Sequence, residues 1–489
     1  MLILSIDAGT TGVTAQLVGA DSVAVGRGYS EFEQHFPQPG WVEHDPEQIW
    51  QATLAAVSGA LEAAGVTADA VGAIGITNQR ETAVFWNRAT LQAPRKAIVW
   101  QDRRTADLLT DAKFADARDW VRQATGLPLD PYFSSSKILW VKRNDPKTWR
   151  SIDSGQVAIG TVDSYLIARI SGGAAHITDA TNASRTQLMN IHAMSWDSQL
   201  LELFEVPLKA LPTIVPSWGH LASSDPEHFL GISAPVTGCA GDQQAALFGQ
   251  LGFEVGDAKC TYGTGAFLLQ NTGDKVLSRD PKLLATVAYL GANDERAYAL
   301  EGSVFIAGAA VQWLRDGLGI IQKASDVDAL ALTEPNSDGV FFVPALSGLG
   351  APFWDPNVRG SLLGITRGAS RGHVARATLE SIAFSVRALV DAMAASSGIA
   401  LKRLKTDGGA AGSNLLVQTQ ANVLAIPVER PANLDTTGLG AAYLAGLGAG
   451  VWKDKTELVA VAGDRFEPEK INHLQYQRWL AAVAATQSW

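Results

Sequence analysis

The chain has 489 residues, 47% hydrophobic and 18% charged, a balance that excludes wholesale disorder and is long enough for two or three cored units. Its 39 Lys and Arg against 49 Asp and Glu leave a net charge of −10, which argues against a nucleic-acid or anionic-membrane partner but permits a local positive pocket. Two cysteines, Cys239 and Cys260, cannot make a disulfide framework or a Cys-rich zinc site, and both stand in apolar stretches as small core residues.

In chain order, residues 2–6 form an apolar run that predicts a buried strand. Asp7 arrives too soon for a signal-peptide core and no run of about 18 apolar residues follows, so we expect a cytoplasmic protein with no membrane span. After a Gly- and Thr-rich turn, residues 13–18 predict a second strand. Asp45 and Pro46 predict a helix start as N-cap and first helical residue; Leu54, Val57 and Leu61 keep its period and Gly65 ends it. Residues 71–77 predict another strand, and the hydrophilic residues 217–231 a surface loop. Residues 258–265 read as a strand running into Gly263-Thr264-Gly265, with strand character resuming over 266–270. Strand, Gly/Thr turn, strand thus occurs near residue 9 and again near 264, which suggests two related halves meeting within 245–256. A long helix is predicted from about residue 370 to 395. The alternation of signals predicts an α/β fold.

Several routes to chemistry are closed. The sequence has no Gly-x4-Gly-Lys-Ser/Thr, no Gly-x-Gly-x-x-Gly and no His-Glu-x-x-His. Residues 368–372 match Gly-x-Ser-x-Gly, but Ser370 is better read as a helix start than as an esterase nucleophile.

Five segments can carry chemistry. In Asp7-Ala8-Gly9-Thr10-Thr11-Gly12 the glycines admit close approach of a ligand, turn N–H groups and hydroxyls suit phosphate oxygens, and Asp7 suits Mg²⁺. Tyr262-Gly263-Thr264-Gly265 has the same ingredients, so the pair could clamp a polyphosphate. The small residues of Asp407-Gly408-Gly409-Ala410-Ala411-Gly412-Ser413-Asn414 offer a flat surface for a purine. Asp242, at a strand-to-helix junction, could accept the proton of an attacking hydroxyl. Arg80 and Glu81 pair a donor fork with an acceptor, which suits hydroxyls on adjacent carbons.

Tyr132-Phe133-Ser134-Ser135-Ser136-Lys137-Ile138-Leu139-Trp140 resembles the first signature of the FGGY carbohydrate kinases, and Gly360-Ser361-Leu362-Leu363-Gly364-Ile365 with residues 373–380 resembles the second. Gly40-Trp41-Val42-Glu43-His44-Asp45-Pro46, Ile76-Thr77-Asn78-Gln79-Arg80-Glu81-Thr82 and Gly241-Asp242-Gln243-Gln244 are similar to the glycerol-phosphorylating branch of that family. The resemblance runs from Leu2 to about Trp452. It implies two actin-like ATPase (ribonuclease H-like) domains around a catalytic cleft, residues 1–246 for the polyol and the first phosphate turn, and 247–489 for the nucleotide. It implies ATP, Mg²⁺ and phosphoryl transfer to a small polyol, glycerol first, in a protein that can form a homodimer or homotetramer. By resemblance, Arg80, Glu81, Tyr132, Asp242 and Gln243 bind the polyol hydroxyls, Trp100 and Phe267 wall its carbons, and Asp242 is the general base. Thr10, Thr11, Gly12, Thr264, Gly308, Gln312, Gly409 and Ser413 contact the nucleotide, and Asp7 and Asp242 serve Mg²⁺.

The chain departs from the family at Ala8 and Gly12, where Gln and Ser are usual, at Thr14 in place of an Arg, and at Ser413 in place of an Asn. Loss of the Arg removes a charge-assisted phosphate contact worth about 1.5–3 kcal/mol. These departures bear on nucleotide affinity and keep open a kinase of erythritol, ribitol or xylulose, or a nucleotide-binding regulator. A Gly- and Arg-rich effector loop is not evident in residues 217–232, and His228 reads as a solvated loop histidine.

Overall fold

A computed structural model describes residues 1–277, 280, 282–459, 463–469 and 473–489. The first half is organised on a six-stranded sheet of β1 (Leu2–Ala8), β2 (Gly12–Val18), β3 (Ala24–Glu31), β4 (Val71–Asn78), β5 (Trp218–Ser223) and β6 (Pro235–Gly241), in the order β5-β6-β4-β1-β2-β3. The hairpin β1–β2 and the pair β2–β3 are antiparallel, β4 and β6 add in parallel, and β5 closes the edge antiparallel. Helix α1 (Pro46–Ala64) covers one face. It starts as the residues dictate: the Asp45 carboxylate accepts from the Glu47 N–H at 2.9 Å, and Gly65 ends the helix at φ 65.

The second half repeats the plan. Its sheet is built from β7 (Ala258–Tyr262), β8 (Ala266–Gly273), β9 (Leu284–Leu290), β10 (Arg296–Val304), β11 (Leu404–Asp407), β12 (Val428–Pro431) and β13 (Gly463–Phe466), in the order β9-β10-β8-β7-β11-β12-β13. Again a hairpin, β7–β8, is extended antiparallel by β10 and parallel by β11 and β12, with an antiparallel edge strand β13. The strand–turn–strand echo in the sequence is therefore a repeat of the whole sheet, with β9 as an addition beyond β10.

Each half has its own apolar core. Leu4, Ile6, Leu17, Val57, Ile74 and Cys239 belong to the first, and Cys260, Leu268, Leu300, Ile382 and Leu389 to the second. Both cysteines are buried and free. Two helices tie the halves together. Helix α2 (Asp242–Gly249) follows β6 and runs through residues 246 and 247; α5 (Thr436–Gly448) comes from late in the chain yet lies on the first sheet, with Ser5 Oγ donating to Gly438 O at 2.6 Å and Thr237 Oγ1 to Ala445 O at 2.8 Å.

 Between them the backbones nearly touch: a Cβ on Gly440 would stand 1.8 Å from Ala245 O, so only glycine admits this crossing of α2 and α5.

Helix α3 (Gly308–Asp316) and the long α4 (Arg371–Ser397) pack on the second sheet. Ser370 is the N-cap of α4, accepting from the Gly372 and His373 N–H groups and donating to Glu334 Oε1 at 2.7 Å, which is a structural role and not that of a nucleophile. The expected surface loop over residues 217–231 is corrected: Ser217 is buried, residues 218–223 are the edge strand β5, and only one side of that strand needs to be polar. His228 is half exposed and lies 2.9 Å from Asp225 Oδ2. Among the described residues, no helix is long and apolar enough to cross a membrane.

Candidate active site

Three parallel strands of the first sheet end side by side. Asp7 pairs with Thr77, Thr77 with Ala240, and Asn78 with Gly241. Asp7, the segment Gln79-Arg80-Glu81 and Asp242 therefore leave the sheet at one carboxyl edge, where α/β proteins form their sites. Asp242 opens α2; its Oδ1 receives the Gln243 N–H at 2.7 Å and is ion-paired with Arg80, 3.1 Å from Nε. Its side chain stays 29% exposed.

Beside it is a buried cage of charges. Arg80, 3% exposed, donates through Nη1 to Glu301 Oε2 at 2.6 Å and through Nη2 to Glu301 Oε1 at 2.9 Å, with Gln244 Oε1 3.2 Å from Nη1. Glu81, held at φ 61, accepts Arg185 Nε at 2.6 Å, and Arg185 Nη2 reaches Glu301 Oε1 at 3.2 Å. Burial pushes the Glu301 carboxyl up, but Arg185 and Arg80 outweigh it and hold the group at about 2. Burial raises Glu81 against the pull of Arg185 and Arg80. Burial also raises the Tyr132 phenol, whose ring lies 5.6 Å from the Arg185 guanidinium carbon.

Trp100 and Tyr132 meet edge to face at 5.7 Å, and Trp100 Nε1 donates to Thr10 Oγ1 at 3.1 Å. The loop that presents Tyr132 is held by Lys137 Nζ, which donates to the carbonyls of Pro131 and Tyr132 at 2.6 Å each; burial lowers this ammonium to about 7. Gln243 Oε1 accepts from Lys259 Nζ, a buried cation of β7 whose pKa burial depresses. Phe267, half-buried, stands on β8 opposite Thr261 and Ser303.

The phosphate turns differ in character. In the first, Gly9 N–H donates to Gly12 O at 3.0 Å and Gln79 Nε2 to Gly9 O at 2.9 Å, leaving Thr11 exposed. Gly12 has a reason: a Cβ there would meet Ser30 O at 2.7 Å and the Tyr29 hydroxyl at 2.8 Å, so the usual Ser would not fit against β3. In the second turn Thr264 is exposed, its carbonyl accepting Ala307 and Ala309 N–H at 2.8 and 3.0 Å, while Gly308 N–H donates to Gly263 O at 2.9 Å. The turn is thus docked on the start of α3, with Gln312 exposed further along that helix. Thr261 pairs with Asp407, so Gly408 and Gly409 emerge beside the second turn, and nothing lies within 4 Å of a Cβ placed on Gly409. The Ser413 hydroxyl accepts the Leu416 N–H at 2.9 Å as a helix cap and donates to Asp328.

Asp7 Oδ1 is buried with no hydrogen-bond partner among the described residues. Burial, then Asp435 and then Asp242, holds its carboxyl well above the usual range. An unpaired carboxylate oxygen facing two further acids is chemically suited to a hard divalent cation. Sequence reasoning passed over Arg185, Glu301 and Lys259. The only local signal was Glu301 itself, a charge in the otherwise apolar run Tyr298-Ala299-Leu300.

Comparison with known proteins identifies the family. The profile of the FGGY family of carbohydrate kinases, N-terminal domain, matches residues 2–249, and that of its C-terminal domain matches residues 258–449. Glycerol kinase of Carboxydothermus hydrogenoformans is 48% identical over 492 residues, covering 100% of this chain and 98% of that protein. Glycerol kinase 2 of Thermotoga maritima is 46% identical, covering 100% and 99%. The crystal structure of Plasmodium falciparum glycerol kinase with ADP superposes with a TM-score of 0.91 at 36% identity, covering 99% of this chain and 98% of that one. The repeated sheets are the two actin-like domains of this fold, and the chain belongs to the FGGY family of carbohydrate kinases, a family of ATP-dependent phosphotransferases.

Proposed function

We propose that this protein transfers the γ-phosphoryl group of ATP to glycerol, yielding sn-glycerol 3-phosphate and ADP, with Asp242 as general base. The observation that carries the reading is the occupancy of Asp242. Its Oδ1 already accepts the Gln243 N–H and is ion-paired with Arg80, so Oδ2 is the oxygen available to a substrate hydroxyl. As that hydroxyl oxygen attacks the γ-phosphorus, its proton passes to Oδ2 and the bond to the β,γ-bridging oxygen breaks, releasing ADP.

Arg80, Glu81, Tyr132 and Gln243 orient the hydroxyls, and Trp100 and Phe267 flank the carbons. A pocket of fixed charges and aromatic walls suits a small neutral polyol and leaves water poorly placed to compete. Thr10, Thr11, Gly12, Thr264, Gly308, Gln312 and Gly409 face the nucleotide in this reading, through backbone N–H groups and hydroxyls. Ser413 acts there through the loop that it caps. Asp7 and Asp242 would hold Mg²⁺, which when bound neutralises phosphate charge. The polyol side is assigned to residues 1–246 and the nucleotide side to 247–489. A cytoplasmic dimer or tetramer is part of the same reading and rests on the family resemblance alone.

A panel of polyols with Mg-ATP tests it. Glycerol is expected to have the highest kcat/KM; erythritol, ribitol or xylulose turning over far better would replace the substrate and keep the phosphotransferase.

A further inference from the structure

We propose that Glu301 is a positioning residue for phosphoryl transfer: from the second sheet it fixes Arg80 directly and Glu81 through Arg185, so that the polyol pocket is assembled by the docking of the two halves. This rests on the reading of Arg80 and Glu81 as polyol ligands. Glu301 stands on β10, paired across the sheet with Leu269 and Leu284. Its partners come from the other half, Arg80 being 221 residues away in the sequence and Arg185 116.

The donor inventory shows what it does. A guanidinium has five N–H groups. On Arg80, one Nη1 hydrogen is directed at Gln244 and one hydrogen from each Nη at Glu301, while Nε stands 3.1 Å from Asp242 Oδ1 as an ion pair. One Nη2 hydrogen is left over, in a direction set by the fork on Glu301. On Glu81, Oε1 is taken by Arg185 Nε, leaving Oε2. Arg185 Nη1 is buried without a partner among the described residues. The donor and acceptor left for adjacent hydroxyls are therefore aimed by Glu301 and Arg185, neither of which needs to touch the substrate.

Charge gives the same answer. Arg80 and Arg185 would repel each other in a site where both are at most 3% exposed, and Glu301, itself 1% exposed, bridges them. Removing one partner of such a buried set leaves uncompensated charge. Glutamine in its place would turn an N–H₂ toward a guanidinium and break the paired fork.

The experiment compares Glu301→Gln, Glu301→Asp, Arg185→Lys and Arg80→Ala, each with a melting curve, kcat, and KM for glycerol and for ATP. Glu301→Gln is expected to raise the glycerol KM about tenfold or more while the ATP KM stays within about twofold. Glu301→Asp, which keeps the charge, should recover part of that loss. Arg185→Lys, which keeps charge but loses the fork, should show the same split and serves if Glu301→Gln does not fold. A folded Glu301→Gln with the wild-type glycerol KM, while Arg80→Ala raises it, would overturn the proposal and leave the pocket standing. An unchanged glycerol KM in Arg80→Ala would overturn the pocket reading itself. Equal changes in both KM values in Glu301→Gln and Arg185→Lys would reduce Glu301 to a structural residue.

Discussion

Around Arg80 and Glu81 the polar groups are long charged side chains withdrawn from solvent; around the two Gly/Thr turns, the proposed nucleotide side, they are threonine hydroxyls and glycine backbone left in it. Arg80, Glu81, Arg185 and Glu301 are all buried, whereas Thr11, Thr264 and Gln312 are exposed and Gly409 faces open space. The ligands proposed for the two regions account for the difference. A neutral polyol brings no charge, so the protein must neutralise its own within the cage and offer what remains in fixed directions. A triphosphate brings charge of its own, and turn N–H groups and a helix start can receive it without buried cations.

Asp242 is the proposed general base, and its loss should have the largest effect. Asp242→Asn is expected to lower kcat by about 10²-fold or more with both substrates still bound. Single-turnover kinetics at saturating glycerol and ATP would check it, and a wild-type rate would remove the assigned base.

A second test concerns the wall behind the first phosphate turn. His44 is fully buried, with Nδ1 3.3 Å from Gln79 Nε2, the amide that holds Gly9 O. Burial, then His35, lowers its pKa to about 4. As pH falls, the unfolded chain takes up this proton near 6.5 and the folded one only near 4, so wild type loses stability across that window. Replacing His44→Gln removes the titration. Between pH 7.5 and 4.5 the variant should lose about 2 kcal/mol less than wild type, measured by urea unfolding at both values. Equal losses would show that His44 is not held neutral.

The smallest effect is expected at Gly409. With no atom within 4 Å of a Cβ there, Gly409→Ala should leave the unfolding free energy within about 0.5 kcal/mol of wild type. If the nucleotide lies against this residue, the ATP KM should rise a few-fold while the glycerol KM does not move. A rise in the glycerol KM instead would blur the division between the two sides.

Wherever structure depends on neighbours in the chain, it was legible. The β1 and β7 hairpins, the capped helix α1 and the Ser370 start of α4 follow from local apolar patterning and capping chemistry. Asp7, Arg80 and Asp242 were each legible as standing at the end of a strand; that the three strands pair in parallel and bring them to one edge came from the structure. The segment 217–223 was misread because an edge strand with one polar side has the composition of a loop. The Gly12 departure, unexplained in the sequence, has its cause in Tyr29 and Ser30 of the neighbouring strand.

Composition, local periodicity and short motifs thus determined the class of fold and the doubled sheet. Tertiary structure alone decided that Glu301 meets Arg80 and Arg185, that Lys259 holds Gln243, and that a helix from late in the chain lies on the first sheet. The reason is range. Helix caps and strand patterns act over a few residues, whereas a buried charge is tolerable only beside its partner, and which partner arrives is set by how two sheets dock.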